Sequence, residues 1–189
     1  MNLANWITAL RIILAPVCVG ILFWDIPGRN LLATVIFIIA GLTDGLDGYV
    51  ARSRKEITAF GKWFDPFADK VLIIFTLVVL AQLKQVPWFA VWIIIAREVL
   101  ITVLRALAGR QGLSIGASIW GKAKTFFQTI AIALIMINQM VPVPFCLGFL
   151  WFAVGLTVWS GIDYLWLWRT AWLKPHSKKK APEAENLKS

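Results

Sequence analysis

The chain has 189 residues, 59% hydrophobic and 15% charged, with a mean hydropathy of +0.75 and a net charge of +9. Soluble domains average about 45–50% apolar and about 25% charged residues, so this composition points to lipid, and the length excludes a membrane part joined to a sizeable soluble part. The basic residues lie between apolar runs, which favours an anionic membrane surface and excludes the basic stripe that a nucleic-acid binder presents.

A helix that crosses about 30 Å of hydrocarbon needs about 20 mostly apolar residues. Six stretches qualify: 7–24, 31–50, 65–83, 88–107, 119–139 and 145–168. The predicted fold is an all-α integral membrane protein with six transmembrane helices and both termini cytoplasmic. Turn residues separate the stretches: Asp25-Ile26-Pro27-Gly28 after the first, Pro87 before the fourth, Gly109, Gly112 and Gly116 after it, and Pro142 and Pro144 after the fifth. The first stretch lacks the basic start and small-residue cleavage site of a signal peptide, and it carries Arg11.

Lys and Arg in the short loops set the orientation. One side holds fifteen of them, from Arg11 through Arg52, Arg54, Lys55 and Lys62 to the cluster ending at Lys188; the other side holds two, Arg29 and Lys84. The richer side is cytoplasmic, and an even number of spans puts both termini there. Trp24 and Trp88 fall near one interface and Trp63, Trp120, Trp168 and Trp172 near the other, the pattern of an aromatic belt. Cys18 and Cys146 lie within or beside apolar stretches with no Cys or His at ligand spacing, so they read as small buried side chains. Residues 1–170 form the membrane domain. Residues 171–189, with His176 as the one histidine, form a basic tail without periodicity.

Ionisable residues inside spans are costly and usually mark function. Here they gather where span two ends and span three begins, as Asp44-Gly45-Leu46-Asp47-Gly48 and Asp65-Pro66-Phe67-Ala68-Asp69-Lys70. Asp44 and Asp47 stand three apart on one helix and Asp65 and Asp69 four apart on the next, so each pair shares a face. The returning loop lets the two pairs face each other near the interface. Four carboxylates brought together repel unless cations relieve them, and oxygen-only ligands point to Mg²⁺, Mn²⁺ or Ca²⁺ over Zn²⁺. The bland alternative makes the aspartates partners of Arg52, Lys70 or Arg97. Gly45 and Gly48 remove side chains beside the carboxylates and allow a phosphate or nucleotide near the backbone. Pro66 suits the first turn of span three.

The segment from Asp44 to Asp69 reads D-x2-D-G-x2-A-R-x8-G-x3-D-x3-D, with Gly61 as the later glycine. It resembles the signature of the CDP-alcohol phosphotransferase family at every defined position, and the six-span pattern over about residues 1–170 is similar too. The resemblance implies that Asp44, Asp47, Asp65 and Asp69 hold two divalent cations, Mg²⁺ or Mn²⁺, against the pyrophosphate of a CDP-linked lipid. It implies that Asp69 is the general base for the acceptor hydroxyl, that CMP leaves, and that Gly48, Arg52, Thr58 and Gly61 touch the CDP moiety. Asn5 and Thr8 join the nucleotide pocket on the same ground.

The acceptor alcohol depends on the second half of the chain. Span four carries Arg97-Glu98 and Arg105, eight residues or about 80° apart, and Arg110, Lys122 and Lys124 follow. Convergence of Arg97, Arg105, Arg110 and Lys124 would suit an anionic acceptor such as a phosphomonoester. For Arg97 a local pairing with Glu98 or a span-three acid stays open; for Lys122 and Lys124 the topology bias alone is the alternative. The run from Ile95 to Arg105, with Gly121-Lys122-Ala123-Lys124-Thr125 and Gln128, resembles the bacterial branch of the family that joins CDP-diacylglycerol to sn-glycerol 3-phosphate. That resemblance implies phospholipid biosynthesis in a bacterial inner membrane, an active site facing the cytoplasm, and a homodimer. Branches that use inositol phosphate, serine or phosphatidylglycerol share the first motif. An intramembrane prenyltransferase also uses aspartate-rich metal sites, with other spacings, and a cation carrier would set its acids near the bilayer midplane rather than at span ends.

Overall fold

The computed structural model describes the backbone of residues 3–24, 26–54, 59–110 and 119–173, and the side chains of residues 10, 12–24, 26–43, 70–110, 119–170 and 172. The described residues form six α-helices and no strand: α1 (Leu3–Phe23), α2 (Arg29–Arg54), α3 (Ala59–Gln82), α4 (Trp88–Arg110), α5 (Ile119–Met136) and α6 (Val143–Leu173).

Each predicted span coincides with one helix, and the ends differ in one direction for most of them. Helix α3 begins at Ala59 rather than near residue 65, and α6 continues to Leu173 rather than 168. Hydropathy marks where a chain is apolar, whereas backbone hydrogen bonds continue into polar ends. One consequence is a correction: Pro66 lies in the interior of α3, not in its first turn. Thr58, Gly112, Gly116 and the tail from residue 174 lie outside the described residues.

The turns follow local chemistry. Gly28, with φ of +77°, takes the left-handed conformation between α1 and α2. Helix α3 closes with a Schellman motif: the Lys84 N–H donates to the Ala81 carbonyl at 3.0 Å and the Gln85 N–H to the Leu80 carbonyl at 2.9 Å. Lys84 occupies the left-handed position at φ of 59°.

Side-chain contacts set the register of the bundle. Cys18 of α1 donates to the Ala33 carbonyl of α2 at 3.4 Å; Lys70 of α3 donates to Thr102 of α4. Lys124 of α5 pairs with Glu98 of α4. Gln128 of α5 donates to Thr157 of α6 at 2.7 Å, and Cys146 of α6 donates to the Leu134 carbonyl of α5 at 3.3 Å. Each pair joins residues placed on either side of a turn, so the helices run up and down in sequence order. The C-terminal parts of α2, α4 and α6 therefore share one end of the bundle with the N-terminal parts of α1, α3 and α5.

Buried positions recur at helical spacing. Ala33, Phe37 and Ala40 make one stripe of α2, and Lys124, Gln128, Ala131, Ile132 and Ile135 one stripe of α5. Small residues at the α1–α2 seam, with Ala15, Cys18, Ala33 and Ala40 all buried, let the two backbones come close. Both cysteines are buried and unpaired by disulfide, as expected of small core side chains.

The outer surface is apolar as well. Phe89, Trp92, Ile119, Trp159 and Trp166 are all exposed, far beyond the patches that soluble monomers show. Trp24 and Trp88 are exposed near one end and Trp120 and Trp172 near the other. Val143–Thr170 is the one stretch among the described residues that is long and apolar enough by itself to cross a membrane.

Replacing Phe37, fully buried in the α2 stripe, with Ala should cost about 3–5 kcal/mol of stability. Leu42→Ala, on the exposed face of the same helix, should cost less than about 1 kcal/mol. Thermal unfolding in detergent separates the two; equal losses would mean that the stripe is misplaced.

Candidate functional site at one end of the bundle

Late α2 carries Asp44 and Asp47, and early α3 carries Asp65 and Asp69. The two helices pack on each other, four residues of chain lie between them, and both segments belong to the same end of the bundle. The side chains of these aspartates, of Asn5, Thr8, Gly48, Arg52 and Gly61, and the whole of Thr58 lie outside the described residues. What the backbone places is the pairing of helices: Asn5 and Thr8 start α1, Gly48 and Arg52 end α2, and Gly61 starts α3. No group of three or more His, Cys, Asp or Glu side chains that could hold a metal occurs among the described residues. By the chemistry of their donor atoms alone, carboxylates such as those carried by α2 and α3 suit hard divalent cations better than zinc.

Lys70, directly after Asp69, is the first described side chain beyond the acidic segment. Its Nζ donates to Thr102 of α4. Thr102 in turn donates to the backbone carbonyl of Glu98 at 2.6 Å, one turn back.

Glu98 is the centre of the described part of the site. It is 8% exposed, and its Oε1 accepts from Arg97 Nη1 at 3.1 Å and from Lys124 Nζ. Lys124 is itself only 6% exposed. A carboxylate withdrawn from water this far needs a cation, and both cations gain by the same contact. The local pairing left open for Arg97 is therefore present, and Lys124 shares it. Lys124 reaches Glu98 because the α5 stripe that carries Gln128 and Ala131 into the core carries Lys124 inward too.

Arg97 extends toward α6. A Cβ at Gly161 would stand 3.4 Å from its Cγ, so the missing side chain there makes room for the arginine stem. Two turns along α4, the Arg105 guanidinium lies 5.5 Å from the centroid of the Tyr164 ring, within cation–π range. Tyr164 packs with Ile101 and Leu104, and Trp168 closes that cluster. The Tyr164 hydroxyl, Trp168 Nε1 and Arg97 Nε are buried without a hydrogen-bond partner among the described residues.

Of the four cations predicted to meet an anionic acceptor, the structure joins Arg97 and Lys124 through Glu98 and sets Arg105 on the same α6-facing side as Arg97. Arg110 is exposed in the last turn of α4, roughly three and a half turns from Arg97. Sequence reasoning named Glu98 only as a neutralising neighbour. A single acid in the middle of an apolar span, with a lysine on the inward stripe of the next helix, is the signal that marks it.

The Glu98–Lys124 contact predicts non-additive stabilities. Lys124→Met and Glu98→Gln should each destabilise, and the double variant should be less affected than their sum by about 0.5–3 kcal/mol in thermal unfolding. Strict additivity would show that the two side chains do not interact.

The comparisons with known proteins agree with one another. The family model described as CDP-alcohol phosphatidyltransferase matches residues 1–159. The chain is 38% identical over 179 residues to a Bacillus subtilis protein named CDP-diacylglycerol–glycerol-3-phosphate 3-phosphatidyltransferase, covering 86% of this chain and 93% of the relative. It is 36% identical over 170 residues to a Haemophilus influenzae protein of the same name, covering 87% and 91%. It is 39% identical over 168 residues to a Mycobacterium tuberculosis protein named probable phosphatidylglycerophosphate synthase, covering 87% and 80%. With the family model spanning most of the chain and the acidic signature lying on two packed helices at one end of an all-helical bundle, this chain belongs to the CDP-alcohol phosphatidyltransferase family.

Proposed function

We propose that this enzyme transfers a phosphatidyl group from CDP-diacylglycerol to sn-glycerol 3-phosphate, giving phosphatidylglycerol phosphate and CMP. The observation that carries the acceptor assignment is the 36–38% identity, over most of the chain, to relatives named for this donor and this acceptor. Arg97 and Lys124, which meet at Glu98 from two different helices, are the cations that suit the acceptor phosphate. The exposed apolar surface and the family support six membrane spans with the site at the cytoplasmic face, in the inner membrane of a bacterium, where a headgroup and a soluble alcohol can meet.

In this reading Asp44, Asp47, Asp65 and Asp69 hold two divalent cations, Mg²⁺ or Mn²⁺. Bound there, the ions supply charge neutralisation for the pyrophosphate and for the leaving CMP. Phosphoryl transfer asks the protein for positioning and electrostatics more than for covalent help. Gly48, Arg52, Thr58 and Gly61, with Asn5 and Thr8, hold the CDP moiety; Arg52 can pair with phosphate oxygens. Arg97, Lys124 and Arg105, with Arg110 at the entrance, hold the acceptor phosphate.

Asp69 takes the proton of the acceptor hydroxyl. The hydroxyl oxygen forms a bond to the phosphorus next to the diacylglycerol, the phosphoanhydride bond breaks, and its electron pair leaves on CMP. An ordinary aspartate is a weak base, with a pKa near 4, so Asp69 works in concert with the positioning of the alcohol. Lys70 tethers this stretch of α3 to α4 through Thr102, which keeps the base at the level of the acceptor cations. A homodimer fits the family and the apolar surface.

Purified protein in lipid nanodiscs should release CMP from CDP-diacylglycerol with glycerol 3-phosphate and not with inositol phosphate, serine or phosphatidylglycerol. Asp69→Asn should lower that rate by about 10²–10⁴-fold with unchanged unfolding temperature. Near-normal turnover would remove Asp69 from the mechanism. EDTA should abolish activity, and Mg²⁺ or Mn²⁺ should restore it where Zn²⁺ does not. Turnover of a prenyl diphosphate in place of a CDP-lipid would overturn the whole reading.

A further inference from the structure

Glu98 has no part in the reaction as written, and its presence is paradoxical there. A buried carboxylate amid cations weakens their pull on an anionic acceptor. Its geometry supplies a counterweight. Arg97 and Lys124 both donate to the same atom, Glu98 Oε1. Two like charges at the ends of long, rotamer-rich side chains do not converge unaided. One shared acceptor removes the repulsion and fixes both termini before any ligand arrives.

Other contacts lock the node from every side. Thr102 donates to the Glu98 carbonyl and accepts from Lys70 of α3. The stem of Arg97 lies against Gly161 of α6. Lys124 sits on the core stripe of α5, one turn before Gln128, which is itself hydrogen-bonded to Thr157 of α6. Four helices therefore meet around one carboxylate, directly beside a proposed acceptor ligand in the chain.

We infer that Glu98 is a positioning residue for the acceptor: it presets Arg97 and Lys124 at the separation imposed by one oxygen, so that an incoming phosphomonoester meets a formed pair. The inference rests on the reading of those two cations as acceptor-phosphate ligands. Glu98 contacts Arg97 and Lys124 and acts through them, as a positioning residue. Its loss is therefore felt in acceptor binding first, because free cations must then be ordered at the moment of binding.

The test measures CMP release by the full-length enzyme in nanodiscs, varying glycerol 3-phosphate at saturating CDP-diacylglycerol and then the reverse. The variants are Glu98→Gln, which keeps shape and loses charge, and Glu98→Asp, which keeps charge and withdraws the oxygen. Glu98→Gln should raise the KM for glycerol 3-phosphate about tenfold or more, with the KM for CDP-diacylglycerol within about twofold and kcat changed less than the acceptor KM. Glu98→Asp should fall between this variant and the wild type.

An unchanged acceptor KM in active Glu98→Gln protein would reduce Glu98 to a structural ion pair and overturn the inference. A lowered acceptor KM would overturn it too, since Glu98 would then be competing with the phosphate. Should Glu98→Gln fail to fold, Glu98→Asp decides by the same KM. If the wild type prefers another anionic alcohol, the acceptor assignment falls alone and the Glu98 effect is read on that alcohol. If only an uncharged alcohol reacts, both readings fall.

Discussion

A charge carried into a bundle whose outside is as apolar as its inside has to find its opposite within the bundle. Water is absent on the flanks, so each ionisable group survives only by pairing or by reaching the end of a helix. Among the described residues the constraint is met most fully in the middle of α4. Glu98 accepts from Arg97 and Lys124, and Thr102 links the same turn of α4 to Lys70. Elsewhere several buried hydroxyls and amides are satisfied within the bundle, as Thr76 is on the Leu72 carbonyl and Gln128 on Thr157 of α6. The acidic residues of α2 and α3 pose the same problem with more negative charge. Divalent cations are the partners that an all-carboxylate set can use.

The up-and-down register converts this local need into a site. Alternate helix ends share a level, so the segments that carry the acids of α2 and α3 come to the same end of the bundle as the C-terminal part of α4 and the N-terminal part of α5. Small residues help at the seams: the α1–α2 contact relies on Ala15, Cys18 and Ala33, and Gly161 makes room for Arg97. The opposite end carries tight turns, a Schellman closure at Lys84 and Gly28 in the left-handed region.

Much of this was legible in the residues alone. Runs of about 20 apolar residues locate six helices, one of them long and apolar enough among the described residues to cross a membrane, and the acidic signature is specific because nothing structural requires four aspartates at those intervals. Helix ends were less legible. Ala59–Phe64 continues α3 although its glycine, lysine and aromatics read as a loop, and that places Pro66 inside a helix. The partnership of Glu98 with Lys124 was the chief omission. The residues are far apart in sequence, and only the inward stripe of α5 tells that a lysine in a basic loop-proximal segment points to the core. Likewise Tyr164 beneath Arg105 needs the α4–α6 packing, which no periodicity reveals.

In the proposed mechanism, carboxylates of two packed helices jointly hold divalent cations at one end of the bundle. Electron paramagnetic resonance of Mn²⁺ titrated into the nanodisc-embedded enzyme with CDP-diacylglycerol addresses it most directly. The account predicts two bound Mn²⁺ per chain with magnetically coupled spectra, both lost when Asp44 and Asp65 are changed to Asn. Bound Mn²⁺ that is uncoupled, or that persists undiminished in that double variant, would contradict it.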